Sequence, residues 1–416
     1  QGITYTRCYS DCPICMPARA TIMTGQHGYT HGLTGNSTSI LPMADRPTLP
    51  GILTGAGYQT RAVGKMHFHP LRSHYGFEHM ETLPDYYRYM EKHFPHRLPK
   101  DHGVGENEMD PVISTVDDNR SLTHWTVDRS IDFLETRDES RPFFLWTSFS
   151  KPHPPFDPTE KYWRLYEEVD MPLPSIGDWS REPDSVPGGL REATFTLNNI
   201  HRFSNDQLRA VRRAYYACIS EIDYKLGLLM ARMREMGLMR DTWIIFTSDH
   251  GEMLGDHHLG AKSVFLEGSA HVPMLIKPPG ERELDEPAGT HCDRLATLAD
   301  LLPTCLAMAE ADPPNDLESD GINLLDLASG PADRHVFIGQ CGPYHAVVEG
   351  HYKYLFCEKG GAELLFNLEE DPNEQHELLR TGQMDVVANH LRSILINHLA
   401  RQDHPAVVNG RLEETA

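Results

Sequence analysis

Two short apolar runs constrain this chain more than any other feature, because each ends abruptly in a polar cluster. Pro142 to Ser150 (PFFLWTSFS) runs into Lys151-Pro152-His153, and Thr242 to Ser248 (TWIIFTS) runs into Asp249-His250-Gly251. Runs of this length, rich in aromatic and β-branched residues, read as buried strands. Tyr58 to Val63, ending at Gly64-Lys65, has the same form. Helix-like stretches lie between them. The pattern predicts an α/β fold with a mostly parallel central sheet flanked by helices. In open sheets of that kind, ligands sit beyond the carboxyl ends of the strands, so the polar ends would meet there.

The clearest helix spans Asn205 to Met236. Leu208, Val211, Tyr215, Cys218, Ile222, Leu226, Leu229, Met233 and Met236 recur every three or four residues and form one apolar face. Ser204 with Gln207 reads as a capping box, and Gly237 as the stop. This helix is read as structure only. From Pro313-Pro314 onward the texture becomes short and turn-rich. His335 to Cys357 predicts antiparallel strands joined by glycine turns, and Pro372 to Leu395 predicts a helix. The expected division is a catalytic domain over residues 1–310 and a smaller α+β subdomain over 311–416.

Acidic residues outnumber basic ones by 60 to 38, a formal charge of −22, which disfavours nucleic acid and anionic membrane surfaces as partners. No apolar stretch approaches the roughly 20 residues needed to span a bilayer. The eight cysteines are scattered, so a reduced protein is expected. Cys12 and Cys15 form a CxxC that admits redox or zinc chemistry, but no second pair stands nearby to complete a zinc site. No signal peptide is visible and the chain does not open on Met, so targeting is not readable. The cytoplasm or periplasm of a bacterial-type cell is the expected compartment, and oligomeric state is unassigned.

Cys15-Met16-Pro17-Ala18-Arg19 is followed by Ala20-Thr21-Ile22-Met23-Thr24-Gly25. Pro17 suits the first turn of a helix. Cys15 would then lie at a helix N-terminus, where backbone N–H groups and the dipole favour an anion. Arg19 lies one turn on, on the same face. A nucleophile, a guanidinium and a helix end therefore converge, an arrangement suited to an anionic tetrahedral group.

The run resembles the sulfatase signature C-x-P-S/A-R followed by T-G, and the defining positions Cys15, Pro17, Ala18, Arg19, Thr24 and Gly25 all match. The resemblance implies an alkaline phosphatase-like fold and hydrolysis of an aryl or carbohydrate sulfate ester. It implies that Cys15 is oxidised by a formylglycine-generating enzyme to formylglycine. One hydroxyl of the hydrate attacks sulfur, and the other then collapses to the aldehyde and expels sulfate. Asp249 and His250, with residue 15, would hold a divalent metal, Ca2+ or alternatively Mn2+. Lys65 and Lys262 match sulfate-binding lysines. His67 matches a histidine that helps deprotonate the diol, and His153 one that protonates the leaving oxygen. Asn36 resembles a substrate-binding asparagine of the hydrolase relatives. His271 stands where the family has Arg before Val-Pro.

One departure concerns the start of the fold. The family opens on a strand that ends in an acidic pair and supplies further metal ligands, a few dozen residues before the signature cysteine. These residues begin 14 positions before Cys15, so a gap in the central sheet and an incomplete ligand shell are expected. Three readings stay open: a sulfuric ester hydrolase, a phosphonate or phosphate ester hydrolase with the same site, and a non-catalytic protein of the same fold. Lys65 and His67 lean toward sulfate, whereas Asp249-His250 and Asn36 lean toward the second. The segments 75–118 and 175–204 are expected to shape specificity. Their aromatic residues (Tyr86, Tyr87, Tyr89) are read first as packing.

Overall fold

The computed structural model describes residues 2–39, 41–280, 289–330, 332–382 and 384–415. Among the described residues, nine strands build the first part of the chain: β1 (Ile3–Tyr5), β2 (Cys8–Tyr9), β3 (Gln59–Gly64), β4 (His79–Thr82), β5 (Phe143–Ser148), β6 (Ile244–Thr247), β7 (Met274–Lys277), β8 (Thr290–Cys292) and β9 (Ala296–Thr297). The three predicted strands are present within two residues of their expected ends. The sheet, however, comes in pieces. One is all parallel, in the order β4-β3-β5. Another, β6-β7-β1-β8, is mixed, because β7 runs antiparallel to both β6 and β1. β2 and β9 pair in parallel beside them.

Between the pieces, β5 pairs with β3 alone and β6 with β7 alone among the described residues. A cleft of about 1440 Å3 separates their free edges and is lined by residues 142–153 and 242–252 without a break. This corrects one expectation. The run at β5 was expected to be fully buried, yet five of its six residues are half-exposed, and Phe246 of β6 is 43% exposed. Their apolar side chains face the cleft, not a neighbouring strand.

The long helix spans Asn205–Glu235, with both halves of the Ser204–Gln207 capping box formed. Gly237 follows at φ +75°, a left-handed conformation that suits glycine and stops the helix. Leu229 and Met233 pack against Val127 and Leu134 of the helix Leu122–Thr136. Each such fully buried side chain contributes about 2 kcal/mol.

The C-terminal part holds a separate antiparallel sheet of β10 (Val336–Cys341), β11 (Tyr344–Glu349), β12 (Tyr352–Cys357) and β13 (Ala362–Asn367), in that order. The turns fall at Gly342 and Gly350, both at positive φ. The helix Asp385–Ala400 lays Leu391, Leu395 and Leu399 on Val347, Tyr354 and Leu365. It begins later than the predicted Pro372. Glu377 Oε1 accepts the amides of Leu365 and Leu379, which ties this stretch to the sheet in a turn instead of a helix. β10 also reaches the first part of the chain: Gln340 N donates to Asp11 O at 2.9 Å, and Gly342 N to Thr34 O at 2.8 Å.

Candidate active site

Cys15 opens the helix α1 (Cys15–Thr24), all ten residues of which are buried. Ile14 before it is extended, Pro17 sits in the first turn, and Gly25 ends the helix at φ +68°. The first turn leaves backbone N–H groups without helical partners. Asn36 Oδ1 takes one of them, Met16 N, at 3.2 Å. The predicted helix end at Cys15 is therefore real, and Asn36 is its cap from a neighbouring loop.

Strand ends bring the remaining groups to Cys15. Its Sγ lies 3.2 Å from His250 Nε2 and 3.6 Å from Lys65 Nζ. Lys65 follows β3, while Asp249 and His250 follow β6. Arg19 Nε donates to Asp249 Oδ2 at 2.9 Å, and its Nη1 donates to Ser148 Oγ at 3.1 Å and to the Lys65 carbonyl. Beyond the sulfur, Lys262 Nζ lies 2.8 Å from His153 Nε2. Lys262 is flanked by Ala261 at φ +62° and Ser263 at φ +80°. Two non-glycine residues in that region cost about 1 kcal/mol or more each, and such strain clusters at functional sites.

His67 is the predicted residue that the structure leaves apart. It is exposed, at φ +54°, and among the described residues no hydrogen bond joins it to the cluster. The family's K-x-H match, with a spacing of two on an extended segment, placed it beside Lys65; the left-handed backbone at His67 breaks the extended geometry which that spacing assumed.

The charges explain one another. Burial opposes a thiolate at Cys15, but His250, Lys65 and His153 outweigh it and hold the thiol well below its usual range. Burial likewise opposes ionised Asp249, yet Arg19 and His250 bring its carboxyl down to about 2. Burial pushes Lys65 down, partly offset by Cys15 and Asp249. It pushes His153 down to about 4, with Lys65 and Lys262 adding to the effect. The pocket is thus electropositive around the sulfur despite the acidic chain.

Asp249, His250 and Cys15 offer three ligand atoms within 4.8 Å of one another. His250 Nδ1 faces the Gly251 carbonyl at 2.8 Å and donates to it, so when Nε2 gives up its proton to a cation its lone pair points toward Cys15, the tautomer that a metal ligand needs. The donor set fits a divalent cation. A second group, His345, Glu358 and His404, also gathers ligand atoms within 4.8 Å. There His404 Nδ1 accepts the Ala406 amide at 3.3 Å, which puts the proton on Nε2 where a lone pair would be needed, and Thr415 closes on Glu358. That group is a hydrogen-bonded tie for the C-terminal residues.

The sulfatase family model matches residues 1–311. The chain belongs to the sulfatase family. It is 31% identical to an arylsulfatase of Clostridium perfringens over 96% of this chain and 87% of that protein. It is also 31% identical to a choline-sulfatase of Rhizobium meliloti, over 88% and 73%. Among solved structures it overlays on a phosphonate monoester hydrolase of Agrobacterium radiobacter with TM-score 0.81 at 24% identity, covering 96% of this chain and 89% of that one. The alkaline phosphatase-like fold is therefore established, and this family member is an enzyme that hydrolyses sulfate esters. No helix among the described residues is long and apolar enough to cross a membrane.

Sequence reasoning missed Ser148, whose hydroxyl bonds both the Arg19 guanidinium and the Lys65 carbonyl. A polar residue at the last position of an apolar strand was the available signal. Of the other suggestive histidines, His257 stacks on Trp179 and bonds Ser180 and the Asn373 carbonyl, away from the site. Tyr86 is fully buried with its hydroxyl on the Arg120 carbonyl, which is packing as expected. Cys12 is buried beside Cys341, and its thiol is pushed up by burial. Among the described residues no disulfide is formed.

Proposed function

We propose that this sulfatase cleaves an aryl or carbohydrate sulfate with a formylglycine formed from Cys15, and the observation that carries the reading is the convergence of Lys65, His250 and His153 on that one atom, with Arg19 holding Asp249 beside it and Lys262 paired with His153. Cys15 sits at the N-terminus of a buried helix, so backbone dipoles and three cationic groups face the position of the sulfate oxygens. Lys65 and Lys262 bind those oxygens, and Asn36 orients the group at residue 15 through the cap it makes at Met16. Asp249, His250 and residue 15 would hold the divalent metal. Once residue 15 carries diol oxygens, the shell is mostly oxygen and suits Ca2+, with Mn2+ admitted by His250. When bound, that cation would polarise the sulfate and stabilise the diol anion.

His153 Nδ1 faces the Pro154 carbonyl at 2.8 Å and donates to it, so its Nε2 accepts from Lys262. At rest Lys262 holds the proton of the pair. As the ester bond breaks, Nε2 takes that proton from Lys262 and passes it from the same nitrogen to the leaving-group oxygen. Residues 1–310 form the catalytic domain in this reading, and 311–416 the α+β subdomain. A formylglycine-generating enzyme is the maturation partner.

The second reading, a phosphonate or phosphate ester hydrolase, is favoured by the Asp249–His250 pair and by the placement of Asn36 at residue 15. Mass spectrometry of the peptide containing Cys15, from cells that supply the maturation enzyme, tests the first step. An aldehyde at residue 15 is expected. Turnover of a sulfate ester by protein whose Cys15 is wholly thiol would overturn it.

A further inference from the structure

A buried ion cluster stands behind the metal loop, and nothing in the chemistry above uses it. Lys353 of β12 is 1% exposed. Its Nζ lies 2.7 Å from Glu267 Oε1 and 2.6 Å from Glu374 Oε1. Glu267 opens the short helix Glu267–Ala270. It also accepts from the Tyr9 hydroxyl at 3.0 Å and pairs with His271 at 2.8 Å. Glu374 Oε2 in turn accepts the Glu267 amide at 2.7 Å. The Lys353 ammonium and the Glu374 carboxylate thus grip the first residue of this helix from the C-terminal part of the chain. A fully buried lysine is expensive unless its ion pairs are well formed, so the grip is stiff.

The other end of the same helix touches the site. The Ser269 carbonyl accepts the Gly251 amide at 2.7 Å, and the Ala270 carbonyl accepts the Ser10 amide at 2.9 Å. Gly251 directly follows His250. A Cβ on Gly251 would come within 2.1 Å of the Gly268 carbonyl oxygen, so the two backbones are in contact and cannot slide independently. The helix therefore stands between Lys353 and the Asp249-His250-Gly251 loop, and also reaches the segment that leads to Cys15.

We propose that Lys353 is a positioning residue: through Glu267 it sets where the Ser269 carbonyl holds Gly251, and so fixes His250 and Asp249 for catalysis from the C-terminal sheet. The consequence for metal binding rests on the assignment of Asp249 and His250 as ligands; the consequence for the Gly251 amide does not. A group that orients a ligand from outside the shell typically changes metal affinity or activity by about 10–100-fold.

The test uses the full chain in four forms: wild type, Lys353→Met, Lys353→Arg, and Lys353→Met with Glu374→Gln, the last leaving one fewer unpaired carboxylate should the single variant fail to fold. Hydrogen exchange at Gly251, Ca2+ affinity by calorimetry, and kcat against KM are measured on each. We expect exchange at Gly251 to speed by about tenfold or more while amides of β10 and β11 keep their protection, with Ca2+ affinity and kcat lower by about 10–100-fold and KM little changed. Lys353→Arg, which keeps the charge, should restore part of kcat. Unchanged protection at Gly251, or an equal loss of protection throughout β10 to β13, would overturn the proposal. Faster exchange at Gly251 with no Ca2+ bound by any form, wild type included, would support the anchor and count against the metal assignment instead.

Discussion

Lys262 Nζ and His153 Nε2 lie 2.8 Å apart, with the other nitrogen of His153 engaged by the Pro154 carbonyl. In the proposed reaction this pair is the source of the proton taken by the leaving group. His153→Ala should lower kcat by about 10²–10⁴ for esters with poor leaving groups, the usual worth of a positioned acid. For p-nitrophenyl sulfate, whose leaving group needs little protonation, the loss should be far smaller. A plot of log kcat against leaving-group pKa checks this, with a steeper slope expected for the variant.

Arg19 is the partner that keeps Asp249 ionised and aimed. Asp249 is 16% exposed at its side chain and Arg19 6%. Arg19→Ala would leave a nearly buried carboxylate without its counter-ion, which typically costs about 3–5 kcal/mol. Denaturant unfolding should show a loss of that size, and metal affinity should fall as well.

Stability should decline on mild acidification. Burial holds His31, His257 and His398 at about 4, below the ordinary 6.5. Between those values the unfolded chain binds more protons than the native one, so native stability falls as pH drops from 6.5 toward 4. Glu374 acts with the opposite sign: burial raises it from 4.5 to about 7, against the pull of Lys353, so its contribution grows as pH falls through that window. His153 is held at about 4 as well, and burial raises Glu221, Glu252 and Asp256 in the same sense as Glu374; the four large histidine shifts outweigh the one large carboxyl shift, and Tm measured across this range should decrease toward acid.

The cleft between β5 and β6 makes a further prediction. Its apolar walls, Trp146 and Phe246 among them, should bind a hydrophobic dye. A chain extended upstream of residue 1 by an apolar strand that ends in carboxylates should bind less dye and show a higher Tm, since such a strand would satisfy both free edges. Equal dye binding and equal Tm with and without the extension would contradict this.

Much of this molecule is legible in residue order. The strand ends before Lys65, Lys151 and Asp249 announced the site because apolar runs must stop where polar groups gather. The Ser204–Gln207 box and Gly237 fixed both ends of the long helix, since capping is local chemistry. The failures were non-local. The family's K-x-H match put His67 beside Lys65, but one positive φ turned it to solvent. The half-exposure of β5 depends on what pairs with its far edge, which composition does not show. The helix expected from Pro372 yields to Glu377, whose carboxylate binds amides from another strand. Lys353 looked like an ordinary strand residue, and its partners lie 86 and 21 positions away in sequence (353 − 267 and 374 − 353).

The central claim is that residue 15 attacks a sulfate ester. The measurement that meets it most directly is a paired rate assay, with the protein co-expressed with a formylglycine-generating enzyme and given p-nitrophenyl sulfate and p-nitrophenyl phenylphosphonate in the presence of Ca2+ or Mn2+. The account predicts faster turnover of the sulfate, abolished by Cys15→Ala. Faster turnover of the phosphonate, or sulfate turnover that survives Cys15→Ala, would contradict it.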